Sequence, residues 1–101
     1  MHLQMAGHAG AGVKGADLVC AGASTLACTL AAAVERMYEQ QMLKRCPRVE
    51  LEEGKADIIA VPKPRFRQEA MMVFWTVQTG IGALAEAFPG NVGVEEAMRI
   101  Q

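Results

Sequence analysis

The segment RVELEEGKADIIAV, residues 48–61, lies between Pro47 and the pair Pro62 and Pro64, and it constrains this chain more than any other stretch. Proline lacks an N–H and clashes with the helical turn before it, so a helix can neither run in through Pro47 nor run out through Pro62. Inside the segment Val49 and Leu51 alternate with charged residues, Glu53-Gly54 supplies a turn, and Ile58 or Ile59 with Val61 supplies a second apolar edge. It reads as a β-hairpin whose apolar face must be buried against the rest of the chain.

The flanks supply what covers it. Leu18, Val19, Leu26, Leu30, Val34 and Met37 recur at helical spacing, with alanines between them that permit close approach. Asp17 stands where its carboxylate can cap the start of that helix, and polar Glu39 to Gln41 with Lys44 and Arg45 mark its end. A second helix begins near Arg67 or Gln68, where Ala70, Val73/Phe74, Val77, Ile81, Leu84/Ala85 and Phe88 form one stripe; Pro89-Gly90-Asn91 ends it. Met71 and Trp75 fall off that stripe, as a subunit contact or as the margin of a wide core-facing stripe. Ahead of the first helix, His2 to Ala6 alternates polar and apolar up to Gly7, which predicts a strand, and Val92-Gly93-Val94 predicts a short last strand before a charged tail. The order β-α-β-β-α-(β) gives an α+β domain of two layers, a small mixed or antiparallel sheet with both helices packed on one face.

At 101 residues there is room for one such domain, 1–101. A hydrophobic content of 51% against 21% charged residues excludes disorder. Ten Lys and Arg against eleven Asp and Glu leave no overall field to attract nucleic acid or an anionic membrane, so neither is expected as a direct partner. Lys44, Arg45 and Arg48, and Lys63, Arg65 and Arg67, flank Glu50, Glu52 and Glu53 and read as solvated surface. The Ala- and Leu-rich run from Leu18 to Val34 is interrupted by Ser24, Thr25 and Thr29, too short and too polar to span a bilayer. Cys20, Cys28 and Cys46 form no CxxC pair, so neither a disulfide framework nor a metal site is expected, and reducing cytoplasm is the expected compartment.

Two groups of residues are candidates for chemistry. Gly10, Gly12 and Gly15 have the GxGxxG spacing of a dinucleotide fingerprint between a strand and a helix. That fingerprint needs an acidic residue about 20 positions on, after a second parallel strand. Here the helix is still running, and the GKS/T ending of a P-loop is missing around Lys14. No nucleotide cofactor is expected, and the glycines read as a mobile loop. The second group is His8, which ends the first strand, with Cys20, which opens the first helix. A thiol near a helix N-terminus feels partial positive charge that favours thiolate, and a neighbouring imidazole extends that effect. Unpaired N–H groups of the same turn can stabilise an oxyanion. Equally, Cys20 reads as a small buried apolar residue and His8 as a ring satisfied by local backbone. Asp17 reads as a cap or as an orienter of the imidazole. Ser24, one turn after Cys20, reads as a helical serine bonded back to that turn, or as part of the site. Cys28 and Cys46 have no activator in the sequence.

The segment Gly7-His8-Ala9, then Gly12 and Gly15, then Asp17-Leu18-Val19-Cys20-Ala21-Gly22-Ala23-Ser24 resembles the Prp family, the ribosomal-processing cysteine proteases. In that family Gly-His-Ala ends a strand and Asp-x-Val-Cys-Ala-x-x-Ser opens the first helix, with the twelve-residue spacing found here between 8 and 20. Phe88-Pro89 extends the pattern. The resemblance implies a peptidase that removes an N-terminal extension from large-subunit ribosomal protein twenty-seven, with that precursor as its partner. It implies Cys20 as nucleophile, His8 as general base and acid, Asp17 and Ser24 around the site, and Gly7 as tight backbone beside His8. It also implies a homodimer whose loop, Ala9 to Ala16, orders over bound peptide. A noncatalytic peptide- or ribosome-binding module of the same fold is the alternative.

The chain departs from the family pattern twice. Members begin with another strand, hairpin-paired to the one ending in Gly-His-Ala, so strand Leu3 to Gly7 is expected at an open edge for a partner copy or peptide to cover. The family's Cys-Ala-Ala-Val-Ser is Cys-Ala-Gly-Ala-Ser here, and Gly22 weakens a helix by about 1 kcal/mol relative to alanine.

Overall fold

The computed structural model describes residues 1–7, 16–52, 54–87 and 94–99. Strand β1 (His2–Gly7) leads to helix α1 (Ala16–Glu39), the hairpin β2 (Arg48–Glu52) and β3 (Lys55–Ile59), helix α2 (Arg67–Ala87) and strand β4 (Val94–Arg99). All strand pairs are antiparallel, in the order β2-β3-β1-β4. The expected α+β fold is the fold observed.

The hairpin turns where the sequence places it. Glu52 pairs with Lys55, and Gly54 has φ 76°, a left-handed backbone that a side chain would strain; Glu53 lies outside the described residues. Pairing then sorts the two isoleucines. Leu3, Ile58 and Val49 share a register row on the helix-covered face, and Ile58 and Leu3 are fully buried, whereas Ile59 is half-buried on the other face. Leu51 shares the covered face yet is 43% exposed, on the outer strand of the sheet.

Three expectations change. Strand β1 is central, with β3 on one side and β4 on the other, so it leaves no open edge. The last strand is the charged segment Val94–Arg99, paired from Gly7↔Val94 to His2↔Arg99, while Val92 and Gly93 lie outside the described residues. The third change concerns the surface of α2. Met71 is partly buried against the core, and it is Met72, 55% exposed, that stands outside with Trp75 at 54%.

Helix α1 buries Ala23, Ala27, Leu30, Ala31, Val34 and Met37. It ends earlier than Lys44 and Arg45, in a Schellman turn: Met42 N–H donates to the Met37 carbonyl at 2.9 Å and Gln41 N–H to Tyr38 at 3.0 Å. Gln41 takes the left-handed position, φ 61°, where glycine is usual. Beyond it the chain pairs with the segment after β3 through Lys44 N–H to Val61 carbonyl at 2.8 Å and Lys63 N–H to Met42 carbonyl at 2.9 Å. Next to it, at the same end of the sheet, the Met1 amino group donates to the Ala60 carbonyl at 2.7 Å. Burial, with the positive charges of Arg67 and Arg45, holds that ammonium group below its ordinary pKa.

Helix α2 buries Ala70, Phe74, Val77 and Ile81, the stripe read from its spacing; Phe88 lies outside the described residues. Gly82 is exposed in this helix, and a Cβ built there meets nothing within 4 Å. Gly82→Ala is therefore expected to stabilise the fold by about 0.5–1 kcal/mol, since alanine loses less backbone entropy on entering a helix. Thermal unfolding checks this, and an unchanged or lower Tm would contradict the open space at position 82.

Candidate active site

The residues at issue lie where β1 ends and α1 begins, the two elements being joined through residues 8–15. Gly7 is the last residue of β1, paired with Val94, so His8 follows directly on a strand held from both sides. His8, Gly10, Gly12 and Gly15 lie outside the described residues. Helix α1 starts at Ala16, one residue ahead of Asp17. Asp17 is thus the second residue of the helix rather than its cap, a first-turn position where the macrodipole still favours an acidic side chain. Cys20 is the fifth helical residue. It sits at the inner limit of the region where the positive helix end acts, just after the N–H groups that have no helical partner.

Ser24 is exposed one turn further along. Its neighbours show how hydroxyls behave on this face: Thr25 donates to the Ala21 carbonyl at 2.8 Å and Thr29 to the Thr25 carbonyl at 2.7 Å. Cys28 is exposed two turns beyond Cys20, roughly 12 Å along the axis at 1.5 Å per residue, too far for a disulfide with it. Cys46 is exposed in the connection leading to β2. Of the three thiols, Cys20 alone belongs to a helix start.

The chain has two histidines, and the structure removes one from contention. His2 opens β1, at the opposite end from Gly7, and its Nε2 hydrogen-bonds the Asp57 carboxylate on the sheet face away from the helices. Gly7 is five positions further along the strand, roughly 17 Å at about 3.3 Å per step. This His2–Asp57 pair was not apparent in the sequence, because it joins residues 55 positions apart through the β1/β3 register. It has a base and an orienter without a nucleophile. Beside it Arg48 donates to Glu50 at 2.7 and 3.1 Å, which raises the guanidinium pKa; both side chains are well solvated. Among the described residues no cluster of three His, Cys, Asp or Glu can hold a metal ion, and no helix is long and apolar enough to cross a membrane.

The turn carrying Cys20 is packed against the C-terminal half of α2. A Cβ at Gly22 would lie 3.0 Å from Leu84 Cδ2, and one at Gly80 would lie 2.9 Å from Leu26 Cδ2. The helices run antiparallel, each offering a glycine to a leucine of the other. Gly22, read as a weakness from the sequence, is a place of close approach.

The profile of the family described as cysteine protease Prp matches residues 1–93, which include both candidate residues of the dyad. The crystal structure of SMU.848 from Streptococcus mutans is similar to this chain, with 27% identity and a TM-score of 0.61 over 89% of this chain and 77% of that one. No match is found among curated proteins.

Proposed function

This chain belongs to the cysteine protease Prp family, and from that premise we propose that it is the endopeptidase that removes the N-terminal extension of large-subunit ribosomal protein twenty-seven during ribosome maturation. The observation that carries this reading is the family match across residues 1–93, with the Gly-His-Ala and Asp-x-Val-Cys-Ala-x-x-Ser segments inside it.

The reaction requires only the chain's own groups and water. His8 takes the proton of Cys20, and the thiolate adds to the scissile carbonyl carbon. First-turn N–H groups of α1 stabilise the resulting oxyanion. His8 then protonates the departing amine as the C–N bond breaks, leaving a thioester on Cys20, afterwards draws a proton from the water that adds to the thioester carbon, and returns it to the Cys20 sulfur as the C–S bond breaks. Asp17 and Ser24 support the site, Gly7 allows tight backbone beside His8, and Gly10, Gly12 and Gly15 let the loop close over an extended peptide. Ribosome assembly places the protein in the cytoplasm. Incubating the folded chain with the extended precursor tests the reading: a single cut near the precursor's N-terminus is expected. An intact precursor that binds without being cut would put the noncatalytic peptide-binding module in its place.

A homodimer belongs to the same proposal. With β1 paired on both sides, its support is the outer helical surface, where Met72, Trp75, Thr76 and Thr79 form an uncharged exposed strip. Light scattering at tens of micromolar, roughly ordinary assay concentration, is expected to give twice the chain mass, and Trp75→Glu to give the monomer. A monomeric wild-type chain would remove the dimer from the proposal.

A further inference from the structure

The four residues after Cys20 attach its helical turn to the domain through very little surface. Ala21 and Ser24 are exposed, and of these four residues it is Ala23, buried in the core, and Gly22, against Leu84, that meet the rest of the domain. Both contacts involve the smallest residues available, and the second is tight: a Cβ at Gly22 would meet Leu84 Cδ2 at 3.0 Å and Cδ1 at 3.2 Å, so the leucine must give by a few tenths of an ångström. Contacts this short force a neighbour to move. Leu84 is partly buried and packed on the core, so part of that movement passes to α1. No left-handed backbone demands glycine at 22, since among the described residues only Gly54 is a glycine with positive φ.

We propose that Gly22 and Leu84 are positioning residues for the reaction: their close approach sets where the turn bearing Cys20 stands relative to the end of β1. This rests on the reading of Cys20 as the nucleophile and extends it to α2, which carries none of the reacting groups. A built-in control exists. Gly80 makes the same kind of contact with Leu26, at 2.9 Å, but Leu26 lies six residues from Cys20 rather than two. A merely structural role predicts the same consequences at both positions.

The experiment compares Gly22→Ala, Gly80→Ala, Leu84→Ala and the double variant Gly22→Ala/Leu84→Ala in the full chain. It reads kcat and KM for precursor cleavage, and the pH profile of iodoacetamide labelling at Cys20 followed by peptide mass. Gly22→Ala is expected to lower kcat by about tenfold with KM little changed, as a misplacement of a few tenths of an ångström at a reacting group does, and to displace the labelling profile. Gly80→Ala is expected to leave kcat and the profile at wild-type values. The double variant, which frees room for the new methyl group, is expected to recover most of kcat. If Gly22→Ala does not fold, Leu84→Ala carries the test by removing the contact from the other side, with the same direction expected in both readouts. Wild-type kcat and profile in Gly22→Ala, or in Leu84→Ala where that variant carries the test, or equal losses in Gly80→Ala, would overturn the positioning role. Persistent cleavage by Cys20→Ser would overturn the reading beneath it, whatever the glycine variants do.

Discussion

Cys20→Ser is expected to bring precursor cleavage down to background, and His8→Ala to lower it by about 100- to 10,000-fold, while both variants unfold at the wild-type temperature. Serine keeps the size of cysteine but is not ionised at neutral pH. In the proposed mechanism alanine at 8 removes both the base that activates sulfur and the acid that protonates the leaving amine. An unperturbed thiol titrates near about 8.5, so without help only a small fraction is nucleophilic at pH 7. The proposed mechanism gives that help to Cys20 alone, from the start of α1 and from His8. Cys28 and Cys46 are exposed, so faster labelling at Cys20 cannot be put down to the other two thiols being hidden from the reagent. Equal labelling of all three, or full cleavage by folded Cys20→Ser, would sink the assignment of the dyad.

The largest structural effect is expected at Phe74. Among the described residues it is the largest fully buried side chain, with no exposed surface, on the face of α2 that meets the core with Ala70, Val77 and Ile81. Phe74→Ala removes the ring and leaves a cavity that neighbouring helices and sheet close only in part, costing about 3–5 kcal/mol. Against a typical net stability of about 5–15 kcal/mol this is a large share, and a fall in Tm of more than about 10 °C is expected. Trp75 is the internal comparison, adjacent in sequence but 54% exposed, and its replacement should cost a monomer far less. A loss below about 1 kcal/mol at Phe74 would show that the core collapses around the missing ring.

Local periodicity made much of this fold legible. The hairpin is bounded by prolines and turned at Gly54, and the stripe Ala70, Phe74, Val77 and Ile81 follows from helical spacing, because both signals depend on residues a few positions apart. The candidate dyad was legible for a related reason: the Gly-His-Ala and Asp-x-Val-Cys-Ala-x-x-Ser segments sit within eighteen residues of one another, from Gly7 to Ser24. What local spacing could not decide was pairing across the chain. The central place of β1 depends on a strand more than 85 positions away, His2↔Arg99 to Gly7↔Val94. Register alone put Ile58 inside and Ile59 outside, since a one-residue slip exchanges the two faces of a strand. Met72 rather than Met71 faces outward because the rotation of α2 is set by Phe74 and Val77 entering the core. Gly22 shows the same division most sharply. By intrinsic propensity it weakens a helix, and only the arrival of Leu84 from another helix, 62 positions on, gives the missing side chain its reason.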